Sequence, residues 1–337
     1  MTGEQTTVPL TLFETPVPWN VREEDLDEIR GLQAEIRSLA HERHPVILAH
    51  NYQRPAVPEG ADELGDSLAL AINATKTGAE RIVFCGVHFM AESAKILNPQ
   101  KKVLLPNLAA GCSLADSISP ESLEDWKAQY PGREVVTYIN SSAEVKALSD
   151  ICCTSGNAVS VVRSLDSDKI LFTPDRNLGS WVAKQLPEKD VVIYDGVCPT
   201  HDVLREASLD KSRRSHPEAV IIAHPECRED VLELADEICS TAGMFDAVAR
   251  HPEVSTFIVA TEWALVYRLR LASPDKEFVM AAGCIGCRLH CPYMKMIDLP
   301  QIKRALEEDV FEVLVDEDVA EGARRSLERM LAVPRDN

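Results

Sequence analysis

Cysteine recurs in this chain at positions that invite a shared purpose. Cys112 follows KVLLPNLAAG, Cys198 follows VVIYDGV, and the trio Cys284, Cys287 and Cys291 follows or extends EFVMAAG. Cys112 and Cys198 are 86 residues apart, and Cys198 and Cys284 are again 86 apart. A molecule built from three such repeats can bring one thiolate from each to a point on its pseudo-threefold axis. Three thiolates can hold a metal cluster and leave one metal position for substrate. Any single cysteine is more readily read as a small buried apolar side chain. The shared repeat position is what favours ligation. The third group is richer than one ligand needs: Cys284 and Cys287 with Cys291 or His290 suit zinc, and the C-x-x-C pair alone suits redox cycling. Spacing leaves both Cys284 and Cys291 open as the third ligand.

Acid–base groups repeat in the same register. His50-Asn51-Tyr52 and His224-Pro225-Glu226 occupy equivalent positions, with Tyr138 and Asn140 between them and His201 three residues after Cys198. Such side chains transfer protons when burial moves their pKa values toward neutrality. Each repeat also has a hydroxyl turn, at Ser67, Ser155 and Ser240-Thr241. Such turns start helices as ordinary N-caps, and the same turns can bind carboxylate or phosphate. Lys146 and Lys295 are further candidates for anion pairing. Cys112 and Cys198 precede helix-like stretches, which favours the thiolate. Cys85, Cys152, Cys153, Cys227 and Cys239 sit in apolar runs and read as core.

These residues need a scaffold that repeats. VILAHNYQ from Val46, VVTYINSS from Val135 and VIIAHPEC from Val220 are short apolar runs, each followed by further apolar runs and amphipathic stretches such as Glu92–Leu97, Leu178–Leu186 and Asp230–Ile238. Strands apolar on both faces that alternate with helices predict parallel sheets covered on both sides. The expected fold is therefore α/β: three pseudo-threefold-related α/β/α sandwich domains with small parallel sheets around a central site. The expected boundaries are a lead-in and helix over 1–42, domains over 43–118, 119–205 and 206–298, and a helix (Leu299–Glu308) and tail over 299–337. Ligands in such sheets sit beyond the carboxyl ends of the strands, where the residues named above fall.

Composition narrows the classes. A net charge of −19 disfavours binding to nucleic acid or an anionic membrane. No run of 18 uncharged apolar residues predicts a membrane span. The first residues show neither the basic nor the apolar region of a secretory signal. Ten cysteines without such a signal predict a reducing, cytoplasmic setting and metal or redox work.

Taken together, AHNYQ (49–53), GDS (65–67), GVHFMAESAKIL (86–97), AAGCSLADS (109–117), YINSSAEVKALSD with CTSGNA (138–158), CPTH (198–201), AHPEC with STAGM, and CPYMKM (291–296) resemble the quinolinate synthase family from about Pro45 to Pro300. The resemblance implies three stacked α/β/α domains and a 4Fe-4S cluster held by one cysteine per domain. By motif these are Cys112, Cys198 and Cys291, with Cys284 and Cys287 an extra pair. It implies condensation of iminoaspartate with dihydroxyacetone phosphate to quinolinate, with the open iron as Lewis acid. Glu226 and His224 are then the acid/base pair and Tyr52 a second proton relay. His50, Ser67, Tyr138, Asn140, Ser155, His201 and Thr241 are expected to bind substrate. The implied partners are these small molecules and a functionally coupled oxidase or dehydrogenase supplying iminoaspartate. The competing expectation is a non-catalytic zinc- or redox-sensing protein that uses Cys284, Cys287 and Cys291.

Overall fold

A computed structural model describes residues 23–281 and 289–336. Among them, twelve strands form three four-stranded sheets. The first holds β1 (Val46–His50), β2 (Glu63–Gly65), β3 (Arg81–Cys85) and β4 (Lys102–Leu104). The second holds β5 (Glu134–Tyr138), β6 (Ile151–Cys153), β7 (Lys169–Thr173) and β8 (Asp190–Ile193), and the third β9 (Val220–Ala223), β10 (Glu237–Ile238), β11 (Thr256–Ala260) and β12 (Glu277–Met280). The three orders are β2-β1-β3-β4, β6-β5-β7-β8 and β10-β9-β11-β12, all parallel. The α/β class with three small parallel sheets is as expected. The central strands are buried along most of their length (Ile47–Ala49, Val135–Thr137, Ile221–Ala223), so continuous apolar runs were needed on both faces.

One aspartate per sheet fixes the register. Asp62, Asp150 and Asp236 each lie 15 residues after a central-strand residue, and each accepts that residue's N–H: Ile47 at 2.7 Å, Val135 at 2.8 Å and Ile221 at 2.8 Å. Each returns its own N–H to the same residue's carbonyl. This exchange pins the outer strand to the central one and leaves little freedom to slip.

Two segments depart from the sequence reading. Asp230–Ile238 is not one helix: a single turn at Glu229–Leu232 gives way to β10, whose backbone pairs with Ile222 and Ala223. The Asp236 bonds and sheet pairing override local helical propensity there. The tail contains a further helix, Glu317–Leu331. Its buried face (Ala320, Ala323, Leu327, Met330) follows helical spacing and lies against the middle repeat. Gly322 permits the close approach, since a Cβ there would lie 2.9 Å from Ala147 Cβ.

Candidate active site

The cysteine loops are tied down in the same way in all three repeats. The N–H of His88 donates to the carbonyl of Ala110 (2.7 Å), that of Arg176 to Gly196 (2.6 Å) and that of Trp263 to Leu289 (3.0 Å). Each carbonyl lies two residues before a cysteine, namely Cys112, Cys198 and Cys291. Cys291 is thus the structural counterpart of the other two. Cys284 and Cys287 lie outside the described residues. Cys112, Cys198 and Cys291 line a single pocket.

Burial pushes the Cys112 thiol up to about 12, and burial likewise raises Cys198 and Cys291. The sequence suggested lowered thiol pKa values at helix starts. In fact only a short 3-10 turn (Ala115–Ser117) follows Cys112, and its backbone N–H groups do not overcome desolvation. Repulsion among the three sulfurs, and from Glu226, adds to the effect at Cys198. No lysine or arginine lines the pocket among the described residues. Clustered thiols whose desolvation outweighs the help of nearby backbone N–H groups are complementary to a bound cation, which supplies the missing positive charge. The ligand atoms of Cys198, His201 and Glu226 also lie within 4.8 Å of one another. The donor set therefore fits a metal cofactor.

Behind two of the loops stands a carboxylate. The Cys198 N–H donates to Asp175 (2.7 Å) and the Cys291 N–H to Glu262 (3.3 Å). Glu262 is fully buried and paired with Lys295 at 2.7 Å. Lys146 is buried too and donates to the carbonyls of Phe89 and Ser141. Neither lysine lines the pocket, so both organise loops rather than pair with a bound anion there.

His50 and His224 share one local geometry. The backbone N–H two residues on, of Tyr52 and Glu226 respectively, donates to the imidazole Nδ1 at 3.1 and 3.3 Å. An accepting Nδ1 places the proton on Nε2, and His224 Nε2 accordingly meets Ser155 Oγ at 3.2 Å. Burial lowers His50 to about 4 and His224 to about 3. Both are neutral donors near neutral pH, whereas the sequence reading expected burial to move such groups toward neutrality. Burial favours protonating Glu226, but the neighbouring His201, together with hydrogen bonds from His201 and the Tyr138 hydroxyl, outweighs it and holds the carboxylate ionised. Tyr52 and Tyr138 are raised well above 10, first by burial and then by Glu226.

A directed chain of hydrogen bonds follows. Glu226 can only accept, so His201 Nδ1 donates to it at 2.7 Å. His201 Nε2 then accepts from Thr261 Oγ1 (2.8 Å), and Thr261 accepts from the Tyr52 hydroxyl (2.5 Å). Thr261, just past the end of β11, is the link.

In the hydroxyl turns, capping and pocket lining fall to different residues. Asp66 and Ser240 are the N-caps of the helices Ser67–Lys76 and Thr241–Arg250, accepting from Ala69 (2.9 Å) and Gly243 (3.2 Å). With capping done by the preceding residue, Ser67 and Thr241 line the pocket, Thr241 Oγ1 accepting from Asn51 Nδ2 at 3.0 Å. Ser155 does not cap either, because Asn157 holds that position. Asn140 offers Nδ2 to Glu226 at 3.4 Å, and its buried Oδ1 has no partner among the described residues. A buried, unpaired amide oxygen is costly unless a ligand completes it. Tyr52, His50, Ser67, Tyr138, Asn140, Ser155, His201, His224, Glu226, Thr241 and the three cysteines thus surround one space. His88, in contrast, turns to Glu92 (3.4 Å), and Asp195 pairs with Arg176 at the surface.

The fold and site define a three-repeat α/β protein whose strand ends gather thiols, imidazoles, hydroxyls and a carboxylate at a metal-competent centre. The chain belongs to the quinolinate synthetase A protein family, whose model matches residues 34–332. It is 50% identical over 305 residues to a quinolinate synthase of Geobacter sp. (strain M21), covering 90% of this chain and 98% of that protein. It is 51% identical over 306 residues to the quinolinate synthase of Pelobacter propionicus (91% and 99%) and 46% over 299 residues to that of Thermodesulfovibrio yellowstonii (89% and 97%). No helix among the described residues is long and apolar enough to cross a membrane.

Proposed function

We propose that this protein is a quinolinate synthase that condenses iminoaspartate with dihydroxyacetone phosphate, releasing quinolinate, one phosphate and two waters. The observation that carries the reading is the common register of Cys112, Cys198 and Cys291, each two residues beyond a carbonyl tied to the same point of its repeat. These three thiols would hold a 4Fe-4S cluster, which when bound supplies an iron site acting as a Lewis acid toward substrate oxygens. Cys198–His201–Glu226 is the competing geometry for a single ion. It is the weaker candidate, because Glu226 Oε2 and both nitrogens of His201 are already engaged with protein partners.

The chain's own residues divide the remaining work. Ser67, Ser155, Thr241, Tyr138 and Asn140 bind carboxylate and phosphate oxygens, helped by the neutral Nε2–H groups of His50 and His224. Ionised Glu226 accepts protons during the condensation and dehydrations. The Tyr52–Thr261–His201 chain carries protons to and from it. Cytoplasmic residence and functional coupling to an oxidase or dehydrogenase that makes iminoaspartate belong to the same reading, since an imine of this kind hydrolyses in water.

Anaerobically prepared protein given both substrates tests the proposal. Quinolinate should form with iron and sulfide bound to the protein. Stoichiometric zinc, no iron and no product would instead favour the metal- or redox-sensing alternative.

A further inference from the structure

The helix Glu317–Leu331 ends beside the middle repeat, and Arg335 and Asp336 beyond it bond to the first two hydroxyl turns, with the third joined to them through Asp66. Arg335 makes two 2.7 Å bonds to the carboxylate of Asp66, the residue before Ser67. Asp66 lines the pocket and is buried, and it also accepts from Ser240 Oγ (3.1 Å), the residue before Thr241. Asp336 donates its N–H to the carbonyl of Gly156 (2.8 Å), the residue after Ser155, and its carboxylate accepts from Val159 and Ser160. A Cβ on Gly156 would lie 2.8 Å from Arg335 Nη1 and 3.4 Å from Ser240 Oγ. Glycine stands there because the guanidinium and the third repeat's hydroxyl occupy the space. Asn157 adds a bond to the carbonyl of Met330 at the end of the same helix.

Charge gives this tie a purpose. No lysine or arginine lines the pocket among the described residues, yet Asp66 stands beside the hydroxyl turns and Glu226 faces them. An anion approaching those turns would meet an uncompensated Asp66 if Arg335 were absent. The bidentate fork both neutralises that carboxylate and fixes its direction. We infer that Arg335 is a positioning residue: by clamping Asp66 against Ser240 and Gly156, it aligns the turns at Ser67, Ser155 and Thr241 and cancels the charge that would repel an oxyanion there. The inference rests on the proposed reaction for naming that oxyanion as the phosphate of the three-carbon substrate, but not for the geometry.

The test uses full-length protein reconstituted anaerobically, with inorganic phosphate as the probe by calorimetry and by inhibition. Arg335→Ala should weaken phosphate binding and raise KM for dihydroxyacetone phosphate by about tenfold, the scale of one uncompensated charge nearby. Its kcat should change much less. Arg335→Lys should recover part of the affinity. Asp66→Asn in the Arg335→Ala background should also recover part, because asparagine still caps the helix without the charge. If Arg335→Ala fails to fold, Arg335→Gln serves: it should bind phosphate more weakly than Arg335→Lys. Wild-type phosphate affinity in Arg335→Ala or Arg335→Gln would overturn the inference, as would kcat falling with KM unchanged, or wild-type protein that binds no phosphate. Protein that binds phosphate in the predicted order yet makes no quinolinate would sink the proposed function and leave Arg335 as an oxyanion-site positioner.

Discussion

The loop carrying Cys112 and the loops carrying Cys198 and Cys291 are anchored at the same carbonyl, but they differ immediately behind the thiol. Asp175 and Glu262 take the peptide N–H of Cys198 and Cys291, whereas Val87, buried, stands at the corresponding place in the first repeat. Backbone N–H groups turn toward two of the sulfurs, those of Leu114 and Ala115 toward Cys112 and those of Tyr293 and Met294 toward Cys291. The tips of the central strands differ in the same manner, with His50 and Tyr52, Tyr138 and Asn140, and His224 and Glu226 in turn. The scaffold repeats while the chemistry is distributed. Sheet order, the register aspartates and the cysteine tether are kept three times over. Charge near the thiols and proton-bearing groups at the strand ends are assigned to particular repeats.

If the three thiols act as one unit, the difference behind them should not protect any of them. Replacing Cys112, Cys198 or Cys291 by alanine should each reduce iron after anaerobic reconstitution to background, while Cys284→Ala retains it. Equal retention of iron by the Cys112 variant would break the equivalence. At the strand tips, Glu226→Gln should lower kcat by roughly 10²–10⁴, the usual weight of a general acid–base group. Thr261→Val, which cuts the chain between Tyr52 and His201, should lower kcat by less and leave bound iron unchanged. Next come the supporting carboxylates. Asp175→Asn and Glu262→Gln should each cost about 10–100-fold in cluster retention or activity, the range for groups that orient metal ligands. Val87→Ala should cost neither to that degree. The smallest effect concerns the shared frame: Asp62→Ala, Asp150→Ala and Asp236→Ala should each lower unfolding stability by about 1–3 kcal/mol, since each leaves a buried N–H unpaired. Unequal losses measured by denaturant unfolding would show that the repeats do not share their register device equally.

How far the sequence disclosed this depended on the range of the interaction involved. The period of 86, the β-branched runs and the His-x-Tyr/His-x-Glu register are local patterns, so the α/β class and the strand-end residues could be read from them. A helix before residue 43 and the helix Leu299–Glu308 were likewise expected, and the structure has helices at Glu23–Arg43 and Leu299–Glu308. Spacing left Cys284 and Cys291 open, because the Trp263–Leu289 backbone bond that makes Cys291 the counterpart of Cys112 and Cys198 leaves no mark in the spacing. Thr261 shows in the sequence only as one more polar residue at a strand end, and Arg335 has no local signature at all. Thr261 matters because it falls between two side chains from other repeats, and Arg335 because its partner is 269 residues away. The pKa directions were misjudged for a related reason: burial depth depends on how the three repeats close on one another, which no single segment displays.

The most direct measurement is a crystal structure of the anaerobically reconstituted protein with iron located by its anomalous scattering. A single iron–sulfur cluster bonded to Cys112, Cys198 and Cys291, with its remaining iron facing Asn140 and Glu226, is the predicted result. Iron bonded to Cys284 and Cys287, or one metal ion held by Cys198, His201 and Glu226, would contradict it.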